Sequence, residues 1–265
     1  MTNAAKVVYV GHSQGTTQAF AALSKPTKGL FAGRSQIMQE MQDSISVYVA
    51  LAPVAYVGNT QSRLLQLLAA GRLPELVDAL PFGYGEFLTG ELMNNIAPEI
   101  CEGNPELCLN VVAGLTGPNY MINETQVPVY VSATPAGSSY QTMEHWAQSV
   151  RKDKFKMFDQ CYAAIPGSTC RQNNQFYGES TPPDYNLGAV AVPMALYSGG
   201  MDWLTAAPDL ERTIGQLNPA FIVRNVKSDM YAHLDFTWGI DTEGGGALPI
   251  YNGVLDVIGE YARAI

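Results

Sequence analysis

The amino-acid sequence predicts an α/β fold with a mostly parallel sheet, interrupted by a long helical insertion. Three observations predict it. Four runs rich in Val, Ile, Tyr and Ala lie at Val7–Val10, Ile45–Val57, Ala189–Leu196 and Phe221–Val223. They lack the polar alternation of a half-solvated strand, as expected of strands covered on both faces. The first run passes through Gly11-His12-Ser13-Gln14-Gly15 into Thr16–Leu23, so a strand, a tight turn and a helix follow one another. Between the second and third runs, residues 58–186 change to helical spacing. The expected organisation is therefore a sheet core over 1–57, an inserted helical cap or lid over 58–186, and the rest of the core over 187–265.

The first element carries the most information. G-x-S-x-G between a strand and a helix is the context of a nucleophile elbow, in which a strained serine stands at the turn with its hydroxyl exposed. Gly11 and Gly15 lack Cβ atoms and are expected to let the strand and helix approach closely around Ser13. The backbone N–H of Gln14 is placed to face a developing oxyanion at the positive end of the helix.

The chain then runs through a mixed stretch, Ser24–Glu40, punctuated by Pro26, Gly29 and Gly33. The Ile45–Val57 strand is expected to leave the sheet at Pro53. Leu64–Leu80, Glu91–Val112 and Gln141–Phe158 show amphipathic helical spacing, the last with Met143, Trp146, Val150 and Phe155. Insertions of this kind in hydrolytic sheets often act as lids. Ala189–Leu196, broken only by Pro193, runs into Ser198-Gly199-Gly200-Met201-Asp202-Trp203-Leu204. Asp202 thus falls just past the C-terminal end of a strand, where ligands gather in open α/β sheets. Phe221–Val223 is a fourth short strand, His233 lies in the loop after it, and Tyr251–Ile265 reads as a closing helix.

Composition bounds the function. The chain has 265 residues, 47% hydrophobic and 15% charged, with a net charge of −9 and a pI near 4.8. No basic stretch suits nucleic acid, and a polyanionic surface disfavours it. The longest apolar runs, at 47–57 and 189–197, are too short to span a bilayer. Four cysteines at 101, 108, 161 and 170 allow three connectivities; pairing within each close couple is the simplest, and reduced structural cysteines are the alternative. Asn123-Glu124-Thr125 is a glycosylation sequon of consequence in a secreted chain. Met1–Ala5 has neither the charged nor the apolar region of a signal peptide.

A serine hydroxyl needs an adjacent base that is itself oriented by a carboxylate. Of three histidines, His12 adjoins Ser13 across one peptide bond and is poorly placed to reach its hydroxyl. His145 lies in the insertion, ahead of any late-strand acid. His233 follows the fourth strand. The order nucleophile, acid, base along the chain is met by Ser13, Asp202 and His233. An Asx-type turn is the other reading of Asp202, and Asp235, Asp229 and Asp209 are rival acids. No metal or organic cofactor is implied.

With these residues in place, the sequence resembles the acid lipase family, to which gastric and lysosomal acid lipases belong. The resemblance is carried by VVYVGHSQGTTQAF (7–20), YVALAPVAYV (48–57), VYVSATPAGSSYQTMEHWAQSVRKDKFKMFD (129–159), STPPDYNL (180–187), VPMALYSGGMDWL (192–204) and AHLDFTWGID (232–241). It implies an α/β-hydrolase fold, with nucleophile, acid and base at Ser13, Asp202 and His233 and the oxyanion amide at Gln14. It also implies a lipid ester substrate, triacylglycerol or sterol ester, met at a lipid–water interface, and a secreted or lysosomal setting. Family members carry early strands and a second oxyanion loop before the elbow. The chain is therefore expected to be the C-terminal two-thirds of such a hydrolase. Its alternative reading is a non-catalytic truncated form of one.

Overall fold

The computed structural model describes residues 5–26, 35–71, 86–87, 101–134, 137–161, 171–240 and 248–262. Four strands, β1 (Val7–His12), β2 (Ile45–Leu51), β3 (Met194–Gly199) and β4 (Ile222–Ser228), form one sheet in that order, all parallel. The described helices are α1 (Gln14–Leu23), α2 (Ser35–Asp43), α3 (Arg63–Ala69), α4 (Pro105–Thr116), α5 (Val127–Val131), α6 (Tyr140–Lys152), α7 (Gln172–Tyr177), α8 (Ala207–Gln216), α9 (Asp235–Trp238) and α10 (Leu248–Ala262). Helices α3 to α7 fall in the long stretch between β2 and β3. No described helix is long and apolar enough to cross a membrane.

The central strands behave as their composition dictates. Successive side chains point to opposite faces of a strand. Tyr48 and Ala50 of β2 therefore join Phe20, Leu23, Met194 and Leu196 on one face. Val47 and Val49 join Ala195, Tyr197, Phe236 and Val257 on the other. At roughly 25 cal/mol per Å² of apolar surface removed from water, these two layers drive the fold.

The outer strands depart from the sequence reading. Val7 and Val10, expected to be buried on both faces, are 54% and 46% exposed, because β1 is the edge of the described sheet. At the other edge, the run Phe221–Val223 grows into a seven-residue strand with alternating exposure. Asn225 and Lys227 on the exposed face, and Arg224 on the half-buried one, hide it from a search for apolar runs. The third strand starts only at Met194; Leu187–Ala189 ahead of it is a 3-10 turn. Pro193, which cannot donate to a ladder, sits just outside, its carbonyl accepting from Tyr48 N at 2.8 Å. The second strand stops at Leu51, two residues before Pro53, where Ala52 turns the chain at φ 49°.

Helical periodicity locates elements better than it bounds them. Of Leu64–Leu80, residues 63–69 form α3 and 72–80 lie outside the described residues; of Glu91–Val112, so do 91–100. Helix α6 ends at Lys152, where Asp153 adopts a left-handed conformation. Phe155 then packs beside Tyr56 and Tyr185 instead of continuing the helix. Helix α2 begins hidden inside the mixed Ser24–Glu40 stretch and runs on to Asp43. It is held by Gln36 to Glu40 and Gln39 to Asp43 hydrogen bonds one turn apart. The closing helix begins at Leu248, and residues 263–265 lie outside the described set. Cys101 and Cys108 form a disulfide; Cys161 is also disulfide-bonded, and Cys170 lies outside the described residues.

Candidate active site

Parallel strands present their C-terminal ends to one side of the sheet, and the three candidate residues leave from three of those ends. Ser13 follows β1 directly. Asp202 lies three residues past β3 and His233 five residues past β4.

At the elbow, Ser13 has φ 56° and ψ −123°, a left-sided conformation that non-glycine residues rarely adopt. Surrounding bonds hold it there. Ser13 N donates to Leu51 O at 3.1 Å. Its carbonyl accepts from Thr16 Oγ1 at 2.6 Å, and Thr16 Oγ1 in turn accepts from Val54 N. The two glycines of the motif are not equivalent. A Cβ on Gly11 would stand 3.0 Å from the Gly15 backbone and the Tyr9 ring, so a larger residue there would push the strand and helix apart by a few tenths of an ångström. A Cβ on Gly15 would meet only Tyr9 Oη at 3.9 Å, so the expected crowding there is absent.

Ser13, His233 and Asp202 form one hydrogen-bonded chain. Ser13 Oγ lies 2.6 Å from His233 Nε2, and His233 Nδ1 lies 2.8 Å from Asp202 Oδ2. The carboxylate only accepts, so Nδ1 carries the proton and Nε2 is left to accept from the serine hydroxyl. His233 and Asp202 are both buried while Ser13 is partly exposed, so solvent reaches the serine and not the pair behind it. Asp202 also makes the Asx-type turn, its Oδ1 accepting from Leu204 N and Thr205 N at 2.9 and 3.0 Å. One oxygen thus makes the turn while the other faces His233.

The rival acids are engaged elsewhere. Asp209 accepts from Asn59 N and Nδ2, and Asp229 is an exposed partner of Lys227. Asp235 accepts from Ala232 N at 2.7 Å and Met121 N at 3.3 Å. Burial pushes its carboxyl up to about 6, against the pull of those two bonds. It therefore braces the loop that carries His233.

Two further residues hold the site together. His12 cannot reach the Ser13 hydroxyl, as its position implies, but its Nε2–H donates to the His233 carbonyl at 2.8 Å. Burial, and then the neighbouring His233, push its pKa down to about 4, so it stays neutral beside His233. The Thr116 carbonyl, at the end of α4, accepts from both Trp203 N and His233 N, tying the loops of Asp202 and His233 to the insertion. The next residue, Gly117, has φ 101°, and a Cβ there would sit 2.0 Å from the Met201 carbonyl. In sequence, Gly117-Pro118 signals only that a helix stops.

Gln14 begins α1, and the first amides of a helix lack an acceptor within it. Beside it a cavity of about 240 Å³ opens, walled by Ser13, Gln14, Val54, Leu65, Met143 and Trp146. Its mainly apolar wall, with the Ser13 hydroxyl at one side, suits an acyl chain with a carbonyl at one end. His145, on α6, bonds to the Lys156 carbonyl and stands apart from the triad.

No protein-family model matches the chain. Over 264 residues it is 34% identical to human lysosomal acid lipase/cholesteryl ester hydrolase, covering 98% of the chain and 59% of the relative. Bovine gastric triacylglycerol lipase is 33% identical, covering 98% and 59%. Lipase lipl-1 of Caenorhabditis elegans is 31% identical, covering 97% and 60%. The chain therefore spans about three-fifths of the length of these curated relatives. An α/β hydrolase fold protein from Nakamurella multipartita covers 95% of the chain and 68% of its own at TM-score 0.40 and 14% identity, too remote to guide a reading of the site.

Proposed function

We propose that this chain, a homologue of the lysosomal and gastric lipases, hydrolyses carboxylic esters of lipids, triacylglycerols or sterol esters, through an acyl-enzyme. The observation that carries this reading is the continuous hydrogen-bond chain from Ser13 through His233 to Asp202. Ser13 Oγ attacks the ester carbonyl while its proton passes to His233 Nε2. The Gln14 N–H receives the oxyanion. The C–O bond to the alcohol breaks as His233 returns the proton to the leaving oxygen. Water then repeats the sequence on the acyl-serine and releases a carboxylic acid. Asp202 keeps His233 in the accepting tautomer and stabilises its charged form.

In this reading residues 58–186 form a cap over the site, since Leu65, Met143 and Trp146 of that stretch wall the cavity beside Ser13. The names of the relatives and the Cys101–Cys108 disulfide favour a lysosomal or secreted setting, with Asn123 glycosylated. Peptide mapping of the chain made in a secretory host, with Asn123 found unmodified, would remove that part.

The test is turnover of emulsified long-chain triacylglycerol and sterol ester beside a short soluble ester. Ser13→Ala is expected to abolish all of it. Trp146→Ala is expected to reduce long-chain turnover more than short-chain turnover. Ester hydrolysis that survives Ser13→Ala would overturn the assignment of the nucleophile, and equal loss on both esters would leave the insertion a purely structural role.

A further inference from the structure

Helix α6 carries more than the wall of the catalytic cavity. Met143 and Trp146 face Ser13. A second cavity, of about 230 Å³, shares Gln14 and Trp146 with the first and runs along Thr142, His145 and Ser149 of the same helix. A third, of about 330 Å³, shares His145, Ser149 and Lys156 with the second and reaches Lys152. Positions 145, 148, 149 and 152 are one stripe of a helix. The three spaces thus follow α6 for about 14 Å from Met143 to Lys152, at 1.5 Å per residue.

The two ends of this row differ in chemistry. The middle cavity sets apolar Ala21, Ala55 and Phe155 and the Trp146 ring beside polar Thr17 and Gln18. The outer one is lined by Lys152, Lys154 and Lys156, against a single carboxylate, Asp159. Asp159 Oδ1 is already occupied by Cys161 N and Asn173 Nδ2. Lys156 has Asp184 at 3.5 Å, while Lys152 and Lys154 make no ion pair among the described residues. Lys152 also ends α6, where the helix dipole favours a cation; Lys154 and Lys156 lie beyond the helix and gain nothing from it. Three lysines at one cavity mouth are conspicuous in a chain of net charge −9.

We propose that this row is a binding site for a free long-chain carboxylate, the acid released by ester hydrolysis, with the carboxylate at Lys152, Lys154 and Lys156 and the alkyl tail laid along α6 toward Trp146. It rests on the hydrolase reading for the identity of the ligand. A row of adjoining cavities with apolar patches, ended by ammonium groups, fits an anionic amphiphile, and the proposed reaction makes one with every turnover. Trp146 Nε1 donates to Gln14 Oε1 at 3.4 Å, so the tail end meets the residue next to the nucleophile.

The test is calorimetric titration of oleate, below its aggregation concentration, into the full chain carrying Ser13→Ala, which removes turnover. Oleate is expected to bind at one site. Oleyl alcohol, of equal length without the charge, is expected to bind about tenfold more weakly or worse, as is oleate to Lys152→Glu/Lys154→Glu. Lys6→Glu/Lys227→Glu, the same charge change elsewhere, is expected to leave oleate binding within about twofold. Matched melting temperatures establish that each variant is folded. No oleate binding to the folded chain, unchanged binding in the Lys152/Lys154 variant, or equal weakening in both double variants would overturn the site. So would loss of binding to phosphatidylglycerol vesicles without loss of free oleate, which would make the lysines a membrane patch. Ester turnover by the unsubstituted chain, measured separately, decides the hydrolase reading and not the site.

Discussion

Asp202→Asn is expected to lower kcat on lipid esters by on the order of 10⁴, from reversal of the imidazole tautomer. The local geometry makes this substitution unusually clean. An asparagine keeps a carbonyl oxygen for Leu204 N and Thr205 N, so the turn that Asp202 Oδ1 now makes survives. The second oxygen, 2.8 Å from His233 Nδ1, becomes an NH₂ group. A donor there forces the proton onto Nε2, which then faces the Ser13 hydroxyl with nothing to accept its proton. Asp235→Asn removes a brace of the same loop without touching the ring, and its effect on kcat is expected to be much smaller. Steady-state kinetics on one soluble ester checks both. A larger loss for Asp235→Asn would show that Asp202 is a turn residue and Asp235 the acid.

The second large effect lies in stability and concerns two buried groups whose titrations oppose one another. Asp235 moves from 3.8 to about 6 on folding, chiefly through burial. It holds its proton more tightly in the folded chain, so its contribution favours folding below about pH 4 and is lost as pH rises to 6. His12 moves from 6.5 to about 4, again chiefly through burial. The unfolded chain then binds that proton more tightly, so the His12 contribution is present above about pH 6.5 and is lost as pH falls to 4. Each contributes about 3 kcal/mol at most, since every tenfold change in proton affinity corresponds to roughly 1.4 kcal/mol. Together they leave the site nearly level between pH 4 and 6. Asp235→Asn is expected to expose the His12 slope, losing stability relative to the unsubstituted chain as pH falls. His12→Gln, which keeps an N–H for the His233 carbonyl, is expected to lose stability relative to it as pH rises. Denaturant unfolding across pH 4 to 7 reads both, and difference slopes of the same sign would contradict the compensation.

Much of the site is legible in the sequence because it depends on local chemistry and chain order. A serine between Gly11 and Gly15, directly after a β-branched run, has few structural uses, and Asp202 and His233 stand at the loops where parallel strands end. The parts that escape a sequence reading depend on contacts distant along the chain. His12 meets His233 across 221 residues, and the Thr116 carbonyl receives the amides of Trp203 and His233. Neither side chain nor spacing announces a backbone bond. For the fold, β2 and β3 are plain because both faces are buried. Strand β4 is cut short in the sequence reading because a solvated face carries Asn225 and Lys227, while Arg224 on the other face reaches the Gly253 carbonyl. At β1 the composition correctly indicates a strand but wrongly a buried one, since exposure is set by neighbours and not by the residues themselves.

The central claim is that the strained, hydrogen-bonded Ser13 is an activated nucleophile. A fluorophosphonate reacts rapidly only with such a serine, and it needs neither a lipid surface nor a particular acyl chain. Incubating the folded chain with the probe, digesting it and locating the adduct by mass spectrometry is therefore the most direct measurement. The expected result is one adduct, on Ser13, absent from Ser13→Ala and strongly slowed in Asp202→Asn. Labelling of a different serine, or a folded chain that does not react at all, would contradict it.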